Sequence, residues 1–184
     1  MRYQTMHFGK KKNRISLIHM NKPLKGGLAG MVSSSIFNEN IAIIVDETPE
    51  ELRDYDFACL ACGENGLAPR VMMTKEIYYD IKRGKPYARM TLFHELGHYY
   101  NKDLSVHNPE RDAERVKLTS EGTVSNEETN ADAFASEYLG VATVIEGLKH
   151  LQILVSNMYD GDAGVVQKEL ALRIKQMLPY KEMN

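Results

Sequence analysis

Two cysteines, Cys59 and Cys62, are all that the 184 residues contain. They are too few and too close together to staple a secreted fold, so the sequence reads as a protein of a reducing compartment. Long apolar runs are also missing. The longest, Ile41 to Val45 (IAIIV), is far short of the roughly 18 to 20 residues that cross a bilayer. The start, MRYQTMHFGKKKNRISLIHM, is followed by no apolar stretch of signal-peptide length. Net charge is nearly absent as well: 23 basic residues stand against 25 acidic ones, a formal charge of -2, which is neither the basic surplus of a nucleic-acid binder nor an acidic tail. These absences predict a cytoplasmic protein with no membrane span and no direct nucleic-acid partner. They leave enough apolar residues for one ordinary core, and the whole of 1–184 is read as a single domain.

Along that domain the pattern changes near residue 74. Residues 1–74 are mostly strands and loops: Arg14 to Met20 (RISLIHM), Ile41 to Asp46 (IAIIVD) and Arg70 to Thr74 (RVMMT) are rich in β-branched or large apolar residues. The Gly/Ser-rich piece between the first two, KPLKGGLAGMVSSS, reads as a mobile loop. Residues 75–184 are mostly helical. A helix starts near Thr74 and stops near Gly84, and others are predicted over Tyr87 to Asn101, Glu127 to Leu139, Val141 to Tyr159 and Gly164 to Leu178. Strands first and helices later predict an α+β fold: a small N-terminal sheet with a helical part behind it. The polar connection Lys102 to Ser125 reads as a solvated excursion, with ERDAERVK as a short helix inside it and a lid over a site as the alternative.

The chemistry concentrates in TLFHELGHYYN, Thr91 to Asn101. His94 and His98 are four apart, which on a helix stacks both rings on one face, roughly 6 Å apart at Cβ. One zinc ion can bridge them, and Glu95, about 100° round the helix, is placed to take a proton from an attacking water. Gly97 weakens a helix by about 1 kcal/mol relative to alanine, so its presence between the two histidines predicts close approach of another segment. A catalytic zinc needs three protein ligands and one open position. EETNADAFASEYL supplies a third, because Glu128 and Asp132 are also four apart on one helical face. Glu128 can ligate while Asp132 fixes the tautomer of a ligating histidine. Glu127 is the alternative ligand, and a solvated acidic helix start behind Ser125 or Asn126 is the bland alternative.

HELGH followed by E-x-x-A-D-x-F-A is similar to the gluzincin metallopeptidases. RMTLFHELGHYY together with ETNADAFASEYL resembles most closely the ImmA/IrrE family of zinc-dependent proteases. The E-x-x-A-D spelling is shared with HtpX-type peptidases, but those are membrane proteins and this chain shows no span. The resemblance covers Arg89 to Leu139 and implies one zinc per chain held by His94, His98 and Glu128, with Glu95 as general base and Asp132 orienting a ligand. It also implies a protein or peptide substrate, which in that family is usually a helix-turn-helix repressor. Where the family continues FA with an apolar run ending in Met-Pro, this chain reads FASEYLGVAT.

Other features are left open by the sequence. The oxyanion donor is unassigned among Tyr99, Tyr100, Tyr138, Tyr159, His107 and His150. An extended substrate would pair with an edge strand, for which Ile41 to Asp46 is the candidate, its alternative being a buried core strand. Cys59 and Cys62 read as free thiols, since a structural zinc would need a second pair. The run GKKKNR, Gly9 to Arg14, reads as a solvated turn, and His7 and His19 as structural or exposed. A different class of function also fits the ligands: a zinc-stabilised binding module or a regulator that holds a partner without cutting it.

Overall fold

Alternating apolar and polar side chains build the first part of the chain into one six-stranded sheet. The computed structural model describes residues 3–46, 58–61, 69–103, 109–158 and 164–181. Its strands are β1 (Tyr3–Phe8), β2 (Ile15–Met20), β3 (Leu28–Ser34), β4 (Ile41–Asp46), β5 (Ala58–Ala61) and β6 (Arg70–Thr74), in the spatial order β1-β2-β3-β4-β6-β5. Neighbours are antiparallel except β4 and β6, which run parallel. Ile15 and Leu17 on β2, Ile41, Ile43 and Val45 on β4, and Val71 and Met73 on β6 are buried, and this period of two gives the sheet its apolar face.

Six helices follow among the described residues: α1 (Lys75–Arg83), α2 (Pro86–Asn101), α3 (Pro109–Ser120), α4 (Asn126–Leu139), α5 (Val141–Met158) and α6 (Gly164–Lys181). The fold is therefore α+β, as the order of patterns predicts. The Thr74 hydroxyl caps α1 by accepting from the Ile77 amide, and left-handed Gly84 ends it. Pro86 opens α2, where its missing amide hydrogen costs nothing. This helix is buried almost all round over Tyr87 to Gly97, the signature of a central helix. It is sandwiched by its neighbours: Phe93 packs edge-on against Phe8 of β1, while α4 and α5 lie against other faces. No helix among the described residues is long and apolar enough to cross a membrane.

Three expectations are corrected. The Gly/Ser-rich segment is not a loop throughout, because Leu28–Ser34 forms β3. Gly30 is there for close packing, since a Cβ at that position would lie 2.6 Å from the Ile18 carbonyl oxygen. Strand β4 is bonded to β3 on one side and β6 on the other, so it is a core strand and offers no edge to a substrate. The connection after α2 is more than a solvated excursion: α3 docks on α6, and one of its side chains reaches the buried carboxylates described below. Strands β1 and β5 were not expected. The basic run is a turn as expected, with a short 3-10 segment at Lys11–Asn13 joining β1 to β2. The backbone of Cys59 lies in β5, but its side chain and all of Cys62 fall outside the described residues, and so do His107 and Tyr159.

Candidate metal centre

Helices α2 and α4 approach so closely that only glycine fits at position 97. A Cβ there would lie 2.8 Å from Ala131 Cα and 2.9 Å from its carbonyl oxygen, the close approach that the glycine in HELGH predicts. On α4, the Ser125 hydroxyl caps the first turn by accepting from the Glu128 amide at 3.3 Å. One turn into that helix, Glu128 therefore faces the histidine face of α2.

Three side chains converge there. His94 Nε2 is 3.1 Å from His98 Nε2 and 3.1 Å from Glu128 Oε2, and His98 Nε2 is 3.7 Å from Glu128 Oε1. Both His94 and Glu128 are buried. The spacing is that of a ligand set: tetrahedral zinc with bonds of about 2.0 to 2.1 Å has ligand-to-ligand edges of about 3.3 Å. The chemistry agrees, because two ring nitrogens turned toward each other leave lone pairs in opposition unless a cation or a proton lies between them. Glu128 Oε2, buried beside them, has ion-pair contacts with His94 and, at 3.1 Å, with Arg173, but none with good hydrogen-bond geometry. A buried His94, His98, Glu128 group that can hold a metal ion is thus present. Of the two candidate glutamates, it is Glu128 that faces the histidines, while Glu127 is only partly buried on the first turn of α4.

The outer nitrogens of both rings face carboxylates. His94 Nδ1 is 2.9 Å from Asp132 Oδ1, a contact that favours the tautomer with the Nε2 lone pair turned to the cluster. Asp132 thus lies beside the ring, where the sequence expects it. His98 Nδ1 lies 3.5 Å from Asp103 Oδ2, a longer version of the same arrangement. Glu95 stands beside His94 on α2 and is partly buried.

Sequence reasoning missed the cations behind these side chains. Arg173 of α6 donates to both oxygens of Asp132, at 2.8 and 2.6 Å, and its Nη1 is 3.1 Å from Glu128 Oε2. Arg115 of α3 makes a bidentate pair with Glu169 of α6, both bonds 2.6 Å, and places Nη1 3.4 Å from Glu128 Oε1. A signal was available. Glu169 and Arg173 fall at i, i+4 inside the apolar stripe of Leu170, Ile174 and Met177, where charge is expensive without a partner.

These neighbours shift the protonation of every member of the cluster. Burial and Arg173 oppose a charge on His94, yet Glu128 and Asp132 outweigh them and hold its pKa up at about 9. Burial and the neighbouring His94 push His98 down to about 4. Burial would raise both carboxyls, but Glu128 is held well below its ordinary range by His94, Arg115 and Arg173, and Asp132 is held low chiefly by Arg173.

The aromatic candidates for an oxyanion donor are turned to packing. The Tyr99 ring meets Phe37 and its hydroxyl donates to Glu39; Tyr100 lies on Phe134; and Tyr138 sits between Phe93 and Phe134. His150 stacks flat on Tyr87, near the opposite end of α2 from His98. Comparison of the chain with protein-family models, with curated proteins and with solved structures gave no match.

Proposed function

We propose that this chain is a zinc metallopeptidase that hydrolyses peptide bonds of a protein substrate. The observation that carries the reading is the convergence of His94, His98 and Glu128 at tetrahedral spacing, with Asp132 on the outer nitrogen of His94. Among the described residues three donors converge; closed structural sites usually present four, and three leave a position open for chemistry. When bound, zinc supplies a Lewis acid that polarises a carbonyl and acidifies water.

The chain's own residues do the rest. His94, His98 and Glu128 would hold the ion, and Asp132, anchored by Arg173, keeps His94 in the ligating tautomer. Glu95 accepts a proton from the attacking water and returns it to the leaving amine. The likeness of HELGH and E-x-x-A-D to the ImmA/IrrE proteases supports this assignment, and points to a helix-turn-helix repressor as the kind of substrate to try first.

The test pairs composition with turnover. Wild-type protein should carry one zinc per chain by elemental analysis, and Glu128→Ala should lose it. Glu95→Gln should keep zinc and lose peptide hydrolysis. If Glu95→Gln matches wild type in every assay while zinc stays bound, the ion serves a binding module and the peptidase reading falls.

A further inference from the structure

Two guanidiniums touch Glu128, and they differ in exposure. The Arg173 side chain is 7% exposed and divides its contacts among Glu128, Asp132, Glu169 and, at 3.0 Å, His94 Nδ1, so a substrate cannot reach it. The Arg115 side chain is 34% exposed. Its Nε and Nη2 are held by the two oxygens of Glu169, which is itself buried. A guanidinium is planar, so fixing two nitrogens fixes the direction of the third. That third corner, Nη1, is turned toward the His94, His98, Glu128 centre and lies 3.4 Å from Glu128 Oε1. A charge-assisted hydrogen bond is normally about 2.7 to 2.9 Å, so Nη1 is far less tightly tied to Glu128 than its sister nitrogens are to Glu169. The arrangement is a preset cation at the solvent-accessible rim of the centre, which is what stabilisation of a developing oxyanion requires.

Resting on the metallopeptidase reading above, we propose that Arg115 is the oxyanion donor of this centre. As the water oxygen bonds to the scissile carbonyl carbon, the carbonyl π pair moves onto oxygen and Arg115 Nη1–H donates to it. The water proton passes to Glu95 and then to the leaving amine as the C–N bond breaks, so nothing else is consumed. Glu169 is a positioning residue that acts by holding the fork. Helix α3 thereby contributes to the reaction from outside the two helices that carry the ligands.

The experiment uses the full chain loaded with cobalt(II) in place of zinc, titrated with a dipeptide phosphonate, whose tetrahedral anion imitates the oxyanion. Binding is read from the visible absorption bands of the cobalt and needs no substrate. At saturating cobalt, wild type, Arg115→Met and Arg115→Lys should each load one ion per chain. Arg115→Met should bind the phosphonate at least about tenfold more weakly, as expected for loss of one charged hydrogen bond. Arg115→Lys, which keeps the charge without the fork, should fall between. Equal phosphonate affinity in all three loaded proteins would overturn the role of Arg115 and leave the metallopeptidase reading standing. Loss of cobalt in Arg115→Met would also overturn it, by showing that the side chain serves to hold Glu128. A wild type with no cobalt bands would remove the metal reading and this proposal together.

Discussion

Substituting Gly97→Ala tests whether the close approach of α2 and α4 sets the metal centre. An added Cβ would sit 2.8 Å from Ala131 Cα, where ordinary contact begins at 3.4 Å, so the helices must part by at least about 0.6 Å. The obstruction is backbone and cannot rotate away. Glu128 lies one turn before Ala131 on the same helix and moves with it, while metal ligands tolerate displacements of only about 0.2 Å. Two opposing terms set the stability change: helix propensity favours alanine by about 1 kcal/mol, and overpacking costs about 1 to 3 kcal/mol. The variant should therefore fold with a net loss of about 0 to 2 kcal/mol and bind zinc about 10- to 100-fold more weakly, the range found when groups that orient ligands are disturbed. Urea melts of the metal-free protein give the first quantity, and zinc competition against a chelator gives the second. Gly147→Ala is the control, since its Cβ would crowd Met90 and Tyr87 at the distant end of α2; it should cost stability and leave zinc affinity unchanged. Wild-type zinc affinity in Gly97→Ala would refute the geometric reasoning outright.

Removing the buried guanidinium with Arg173→Leu leaves Asp132 and Glu128 without their principal cation, and should destabilise the metal-free protein by about 3 to 5 kcal/mol. Bound zinc should restore part of that loss in urea melts; a loss below about 1 kcal/mol would mean the ion pairs contribute little net stability. The metal-free protein should also have a stability maximum near pH 6.5. Below it, the unfolded chain protonates His98 while the folded state, with that ring held down at about 4, does not, so stability falls as pH drops from 6.5 toward 4. Above it, the stability from a His94 imidazolium held at about 9 is complete below 6.5 and is lost as pH rises through 9. Zinc occupies the same lone pair as that proton, so loading should abolish the alkaline limb of the melting-temperature profile; an alkaline limb that survives loading would show that His94 is not a ligand.

What was readable in the sequence is what repeats locally. His94 with His98, and Glu128 with Asp132, are each one helical turn apart, so their shared faces follow from the 3.6-residue period alone. Gly97 was readable because a glycine inside a helix needs a packing reason, and the backbone of Ala131 is that reason. What failed depends on long-range placement. The internal position of β4 comes from its parallel partner β6, set by a crossover that no local pattern encodes. The glycines near β3 suggested freedom, although at Gly30 the absent side chain lets β2 and β3 close up. Strand β1 is mostly exposed, and its apolar alternation is confined to Met6 and Phe8, too short to announce it. Arg115 escaped because its charge reads as a solvated face until α3 is seen against α6.

Arg115 and Arg173 explain how the cluster can exist before any ion arrives. Glu128, Asp132 and Glu169 place three carboxylates in a buried space, and such charges are tolerated only when paired. Arg115 and Arg173 offset two of them. A proton on His94 offsets the third, which is why that ring is held charged to about pH 9. The metal-free cluster is thus close to neutral, and α2 is also held against α4 and α5 by apolar core residues away from the cluster. On the proposed reading, uptake of a divalent ion would exchange two charges for one proton and leave a surplus of positive charge among His94, His98, Glu128 and the guanidiniums. Such a surplus would oppose tight retention of the ion and would favour a developing negative charge beside it. Chelation should therefore yield a folded protein that reloads zinc, with circular dichroism unchanged across the cycle. Unfolding on chelation would show instead that the ion supplies the stability assigned here to the two arginines.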